Sequence, residues 1–253
     1  MQSLGIDVGG SGIKGALVDL KSGELASERI RIKTPGSFNI EKVTAGIARL
    51  IGRFDHSGPI GVGFPAAVAD GIVLTPPTAH HVAGWVGESI SERFSKAAGR
   101  DVTVLNDADA AGLAEMHFGA GRGVRGLVIT VTLGTGIGGG MFMDGELVPN
   151  LEVGKLYLRG HDEVVEQYVA SRIRKEANLT WEEFGARLDA FCRHIELLFS
   201  PQLIIIGGGI SQRHRKFLPM VKLNRSRVVP ARLRNEAGIA GAAAWAARGA
   251  DGP

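Results

Sequence analysis

The chain has a single cysteine, Cys192, few aromatic residues (6%) and no long apolar run. A lone cysteine excludes an internal disulfide and a zinc site built from a cysteine cluster. Apolar stretches such as residues 203–206 fall far short of the roughly 18 residues that cross a bilayer. The chain runs directly into Gly5-Ile6-Asp7, without the basic stretch, apolar segment and cleavage site of a secretion signal. A cytoplasmic protein without a membrane partner is therefore expected. Against these scarcities stand 37 glycines, which point to tight turns or backbone-lined sites. Hydrophobic residues at 44% and charged residues at 22% exclude wholesale disorder, and 253 residues suffice for one large domain or two small ones.

Net charge is only +3, but it is unevenly placed. Between residues 211 and 235 lie Arg213, Arg215, Lys216, Lys222, Arg225, Arg227, Arg232 and Arg234, with no acid among them. Such a run is either a solvated face or a surface that meets a polyanion.

Periodicity predicts strands over residues 4–8, 13–20 and 24–33, a helix over 40–54 and a strand over 60–64. A dinucleotide-binding domain would place a helix directly after its first strand, so this opening is of another kind. The device then repeats. Strands are predicted over 102–105 and 127–133, with an alanine-rich helix over 108–118 between them. A glycine-dense turn over 134–140 follows, then a strand over 141–143 and its return over 146–148. Helices are predicted over 163–176 and 181–199, the second opened by Thr180 with Glu183 in capping-box register. A buried strand over 203–206 and a closing helix over 239–247 complete the pattern. It predicts two related α/β halves, residues 1–106 (with a C-terminal helix packing back) and 107–238, with a cleft between them.

Four motifs carry chemistry. Asp7-Val8-Gly9-Gly10-Ser11-Gly12-Ile13-Lys14 sits between two strands. Its glycines let backbone N–H groups approach an anion, Lys14 can reach the same phosphates, and Asp7 can hold a hydrated magnesium ion beside them. Thr132-Leu133-Gly134-Thr135-Gly136-Ile137-Gly138 occupies the corresponding place in the second half. No Gly-Lys-Ser/Thr follows, so it is not a Walker loop. Gly207-Gly208-Gly209 ends the 203–206 strand, either as a tight turn or as a flat backbone surface for a donor. Asn106-Asp107 lies between a strand and a helix, where a carboxylate suits a general base that takes a proton from an attacking alcohol. Asp109 competes for that role, and both acids could instead serve the helix N-terminus.

Together these residues resemble the ROK (repressor, open reading frame, kinase) family, and within it the actinobacterial polyphosphate/ATP glucokinases. The likeness runs through Asp7 to Lys14, Asn106 to Gly112, Thr132 to Gly138, Leu147-Val148-Pro149-Asn150, Leu198-Phe199-Ser200-Pro201, Gly207 to Gly209 and Ala237-Gly238-Ile239. It implies an α/β, two-lobed actin-like ATPase (ribonuclease H-like) fold. It also implies phosphorylation of a sugar hydroxyl, usually the 6-hydroxyl of glucose, from ATP or inorganic polyphosphate with Mg2+ and without zinc. Carried over, Asp107 is the catalytic base, and Pro65, Asn106, Glu152 and Lys155 belong to the sugar site. Asp7, Gly9, Gly10, Ser11, Gly12 and Lys14 form the first phosphate loop and Thr132, Gly134, Thr135 and Gly136 the second, with Gly208 and Gly209 at the donor. The family implies a homodimer; its repressors carry a helix-turn-helix domain ahead of the kinase-like region, and because Asp7 falls in the first strand neither that domain nor a nucleic-acid partner is expected here. The departures concern the sugar. Lys155 replaces the histidine of a Glu-x-Gly-His motif, His81 replaces an asparagine, and Val164 stands where a glutamate is expected. The acceptor can therefore be another hexose or a polyol, and a catalytically retired sugar-binding protein is the alternative. Polyphosphate must lie along a basic track, which assigns Arg213, Arg215, Lys216, Arg225 and Arg227 to it.

Overall fold

The computed structural model describes residues 1–78 and 83–250. The chain forms two compact units, one of Met1–Ala114 with Glu236–Pro253 and one of Glu115–Asn235.

In the first unit β1 (Gln2–Gly9), β2 (Gly12–Asp19), β3 (Ile30–Ile32), β4 (Ile60–Phe64) and β7 (Thr103–Asn106) form a sheet in the order β3-β2-β1-β4-β7. The β1, β2 and β3 pairings are antiparallel, while β4 pairs parallel with both β1 and β7. Successive strand residues face opposite sides of a sheet. Gly15, paired with Ile6, meets Leu50 of helix α1 (Ile40–Ile51), whereas Gly5 meets the closing helix α7 (Ala237–Ala250). Helix α7 lies unusually close because both sides are small. A Cβ at Gly5 would overlap the Ile239 carbonyl, one at Gly61 the Ala242 carbonyl, and one at Gly241 the Ala110 carbonyl. Gly61→Ala forces β4 and α7 apart, because a backbone carbonyl cannot swing aside as a side chain can. The expected cost is about 3 kcal/mol, which lowers Tm by about 6–12 °C in a chain of this size. A thermal melt within about 2 °C of the parent protein would contradict this packing.

The second unit repeats the topology. Strands β8 (Leu127–Leu133), β9 (Ile137–Met143), β10 (Glu146–Val148), β11 (Leu203–Gly207) and β12 (Arg227–Pro230) run in the order β10-β9-β8-β11-β12, antiparallel among the first three and parallel among the last three. Helix α6 (Trp181–Phe199) buries Phe184, Leu188, Phe191, Cys192 and Ile195 in the core of this unit. Its capping box forms as the sequence predicts, with Glu183 N donating to Thr180 Oγ1 at 3.1 Å and Thr180 N to Glu183 Oε2 at 2.8 Å.

The structure corrects several boundaries. The strand predicted over 24–33 is reduced to β3 and a bridge from Val18 to Leu25, because the Leu17 amide donates instead to Ser27 Oγ. The helix predicted over 40–54 stops at Ile51. The glycine-dense segment is mostly strand: β9 begins at Ile137, and Gly138, Gly139 and Gly140 pair with Thr132, Val131 and Thr130. The helix predicted over 163–176 is two helices, α4 (Glu166–Val169) and α5 (Ser171–Glu176), broken at buried Ala170 with ψ 149°. The sequence reading did not contain the small β5 (Val68–Ala69) and β6 (Ile72–Val73) pair, helix α2 (Ile90–Ala98), or strand β12.

Candidate active site

In the first unit the β1–β2 hairpin turns over Gly10-Ser11, with Gly9 and Gly12 as its last pair. Asp7 and Lys14 are cross-strand partners, and their side chains form an ion pair at 3.3 Å. Thr34 Oγ1 donates to the Gly9 carbonyl at 2.6 Å and Arg31 Nη2 to the Ser11 carbonyl at 2.6 Å. Those two bonds occupy carbonyls of the loop. Gly238, in the first turn of α7, brings that helix against Asp7; a Cβ there would lie 3.2 Å from the carboxyl carbon.

Asn106 ends β7, and helix α3 (Asp107–Phe118) follows at once. Asn106 Oδ1 accepts from Ala108 N at 2.9 Å and Asp109 N at 3.0 Å, the geometry of an N-cap, while its Nδ2 donates to the Ala66 carbonyl at 2.9 Å. The cap is thus the amide, and neither acid is needed for it. Asp107 is half-buried, whereas Asp109 is 1% exposed. Of the two carboxyls only Asp107 stands where a substrate hydroxyl can reach it. Asn106, expected as a sugar ligand, spends its carbonyl oxygen and one N–H on the turn, leaving a single N–H to give. Pro65, also assigned to the sugar, is buried beside that turn, and its carbonyl accepts from Thr78 N at 2.9 Å.

In the second unit the loop between β8 and β9 is Gly134-Thr135-Gly136. It is fastened from α4 and α5. Arg172 N donates to the Gly134 carbonyl at 3.2 Å, Arg172 Nε to the Thr135 carbonyl at 3.2 Å, and Ile137 N to Glu166 Oε2 at 2.8 Å. The break at Ala170 is what turns the Arg172 amide toward the loop. Gly136 leaves room for the carboxylate, which a Cβ there would strike. Thr132 stays half-buried in β8 and Thr135 is exposed at the loop tip.

The other oxygen of Glu166 meets Lys155 Nζ at 3.4 Å. The turn Val153–Lys155 lies over β9, whose glycines admit it: a Cβ at Gly139 would strike Val153, and one at Gly154 the Ile137 carbonyl. Burial pushes the Glu152 carboxyl above the usual carboxylate range; the Lys155 ammonium opposes that shift and the Glu166 carboxylate adds to it. Glu152, Lys155 and Glu166 therefore form one electrostatic group, and Glu166 ties it to the loop. Sequence reasoning missed Glu166. It looked for a carboxylate at Val164, which makes a backbone bridge to Tyr157, and nothing in the spacing marks Glu166 among the neighbouring Asp162 and Glu163.

Gly208 has φ 81°, and a Cβ there would strike the Leu133 backbone, so the third glycine motif presses against the end of β8. The basic run begins at Gly209 and is held by carboxylates from elsewhere in its unit, which bind its backbone rather than its side chains. Glu196 accepts from Asn224 N, Arg225 N and Ser226 N at 3.1, 2.8 and 2.7 Å. Asp189 accepts from Lys222 N at 2.6 Å, and Glu115 from Arg232 N and Leu233 N at 2.8 and 2.7 Å. Arg213, Arg215 and Lys216 remain exposed without an ion pair among the described residues. Arg225 is spent differently, since its Nη2 donates to the Glu196 carbonyl at 3.2 Å; Arg227 is exposed on β12.

The amides on Glu196, led by Ser226 N, hold its carboxyl down from 4.5 to about 2 against the opposing effect of burial. A depressed folded pKa contributes stability that is present above the unfolded value and lost as pH falls through the folded one. The contribution is on the order of 3 kcal/mol and disappears between about pH 4.5 and pH 2. Glu196→Gln is expected to lower neutral-pH stability and flatten its decline across that window. Denaturant titrations of both proteins at pH 6 and pH 3 check this, and parallel slopes would contradict it.

The model of the ROK family matches residues 3–152 and 154–249. The chain belongs to the ROK family. It is 42% identical over 240 residues to a polyphosphate glucokinase of Mycobacterium tuberculosis, covering 94% of this chain and 89% of that protein. Among solved structures, the inorganic polyphosphate/ATP-glucomannokinase of Arthrobacter sp. strain KM superposes with a TM-score of 0.89 at 43% identity, over 98% of this chain and 99% of that one. A ROK family glucokinase from Streptomyces griseus, solved with glucose and AMPPNP, superposes with a TM-score of 0.82 at 24% identity, over 98% and 100%. The α/β architecture is therefore the actin-like ATPase fold of ROK sugar kinases.

Of the ROK residues expected at the sugar, His81 lies outside the described residues. Trp85, four residues further on, is fully buried among Phe38, Phe64 and Phe94, and its Nε1 donates to the Phe38 carbonyl at 3.0 Å. Among the described residues no helix is long and apolar enough to cross a membrane.

Proposed function

We propose that this ROK kinase transfers a phosphoryl group to a hydroxyl of glucose or a closely related hexose, with inorganic polyphosphate or ATP as donor. The observation that carries the reading is at Asp107: Asn106 makes the cap bonds of the helix start, and Asp107 places a half-buried carboxylate at the first residue of α3, directly after β7. Asp107 accepts the proton of the sugar hydroxyl as its oxygen bonds to the terminal phosphorus. The bridging P–O bond breaks, and ADP or a shortened polyphosphate leaves. The loops at Asp7–Lys14 and Thr132–Gly136, with Gly208 and Gly209, hold the donor through backbone N–H groups and Lys14. Glu152 and Lys155 read the acceptor's hydroxyls.

Magnesium fits one carboxylate better than a cage. Among the described residues no group of three or more His, Cys, Asp or Glu side chains could hold a metal. Asp7, beside the phosphate loop and paired with Lys14, suits an ion carried mainly by donor oxygens and water, which neutralises charge on the transferred group. Asp7 would hold that water. Arg213, Arg215, Lys216, Arg225 and Arg227 are assigned to the outer polyphosphate chain, Arg225 with reduced reach. A cytoplasmic homodimer completes the reading.

One observation favours a broader acceptor range than glucose alone. Lys155 offers only donors, where a neutral histidine can accept, so the hydroxyl it meets must accept. A coupled assay with magnesium, each donor and a panel of hexoses and polyols tests the proposal. Turnover of glucose or a glucose epimer with at least one donor is expected. Sugar binding without turnover from either donor would return the chain to the retired sugar binder.

A further inference from the structure

The basic run is not the whole of the cationic surface it belongs to. Trp181, the first residue of α6, is the centre of a cluster drawn from three parts of the second unit. Arg174 of α5 lies with its guanidinium carbon 3.9 Å from the indole centroid; Arg213 and Lys216, from the turn after Gly209, lie 5.9 and 5.7 Å away. The indole stacks on Phe217 at 5.9 Å and 19°, and Phe217 meets Phe184 edge-on at 5.3 Å. This aromatic stack fixes where the three cations stand. Among the described residues none of the three forms an ion pair within 4 Å. Two acids share the first turn of α6: Glu183 is turned to the Thr180 amide at 2.8 Å, and Glu182 is exposed and forms no ion pair within 4 Å among the described residues, so the groups on the ring itself are all cations.

Three cations around one ring repel one another. Cation–π attraction offsets part of that, and a bound polyanion would remove the rest. Alternating charge would suit a protein partner, and an open aromatic face would suit a nucleobase. Here the charge has one sign, and Arg174 already covers the ring, so the surface fits a flexible chain of phosphates. Aromatic residues and arginines that track a phosphate backbone use the same physics.

We propose that Arg174, Arg213 and Lys216, arrayed on Trp181, form a binding subsite for inorganic polyphosphate away from the transferred phosphoryl group, one that favours long chains over short. This rests on the polyphosphate-donor reading and refines it. Arg174, outside the basic run, belongs to the site: one of its guanidinium nitrogens donates to the Leu179 carbonyl at 2.6 Å, which holds the group over Trp181.

The test compares the parent chain, the Arg174→Gln/Lys216→Gln double variant and, as a control that removes an exposed cation of the first unit, the Arg53→Gln variant. KM is measured for long-chain polyphosphate, tripolyphosphate and ATP across a salt series. Emission of Trp181, assigned with Trp181→Phe, is followed as long-chain polyphosphate is added. The double variant is expected to raise the long-chain KM by about tenfold and to lower the slope of its log–log salt dependence by about 0.7 per cation removed. Tripolyphosphate and ATP, and all three donors in Arg53→Gln, are expected to stay within about twofold. If the parent turns over polyphosphate and the double variant's long-chain KM is unchanged, the subsite is overturned and the donor reading stands. If all three donors weaken alike, the cluster acts on the donor site as a whole and the subsite is again overturned. If the parent uses ATP alone, the donor reading fails. The emission then decides: a polyphosphate response lost in the double variant supports a polyanion site, and no response overturns it.

Discussion

Asp107→Asn is expected to lower kcat by about 10²–10⁴-fold, the range over which a positioned general base acts. The loss should be the same with ATP and with polyphosphate, because the proton belongs to the acceptor and not to the donor. The fold should survive. Asn106 keeps its bonds to the Ala108 and Asp109 amides, which hold the helix start, and the interaction of a first-turn carboxylate with the helix dipole is small beside them. Turnover with both donors and a thermal melt of the variant check this together. A kcat within about tenfold of the parent would remove Asp107 as the base. A loss confined to one donor would place its role in donor binding.

The sequence singled out Asp107 as a candidate base because a carboxylate between a short apolar strand and an alanine-rich helix suits a proton acceptor, though it suits a helix N-terminus as well. It could not say which of Asn106, Asp107 and Asp109 caps the helix, since all three are competent caps; the bonds from Ala108 N and Asp109 N decide for Asn106. The repeated sheet was readable from its hairpins, and both sheets share one strand order. Its glycines were harder. Those at 138–140 look like a turn, yet they are strand residues, and Gly139 is kept small because Val153 packs on it. That is a contact between distant segments, and periodicity carries no trace of it. The same limit hid Glu166, whose partners are 29 and 11 residues away. The absence of acids from the basic run was legible as composition. Its fastening by Glu196, Asp189 and Glu115 through backbone amides was not.

Glu166→Ala is expected to lower kcat/KM by about 10²-fold, on the order of what a 1 Å displacement of positioned groups costs. The carboxylate joins two things a kinase must align: the amide of Ile137 at the edge of the second phosphate loop, at 2.8 Å, and the ammonium of Lys155 in the acceptor motif, at 3.4 Å. Removing it releases the loop and leaves Lys155 to pair with Glu152 alone. Gly136→Ala should reproduce the defect by another route. Its Cβ would strike the Glu166 carboxylate, which can swing away with little steric cost but must give up the Ile137 amide to do so. Lys155→Ala separates the two functions. The bond from Ile137 persists, so the loop stays closed, but the cation that restrains the Glu152 carboxyl is gone. Its pKa should then rise further, because burial and Glu166 act unopposed. The acid limb of the kcat/KM profile should move to higher pH in Lys155→Ala. In Gly136→Ala, where Lys155 and Glu152 remain, it should move far less than the activity falls. Full pH profiles of the three variants, with melts to show that each is folded, make the comparison. Parent-like activity in Glu166→Ala would mean that the loop holds its shape through Arg172 alone.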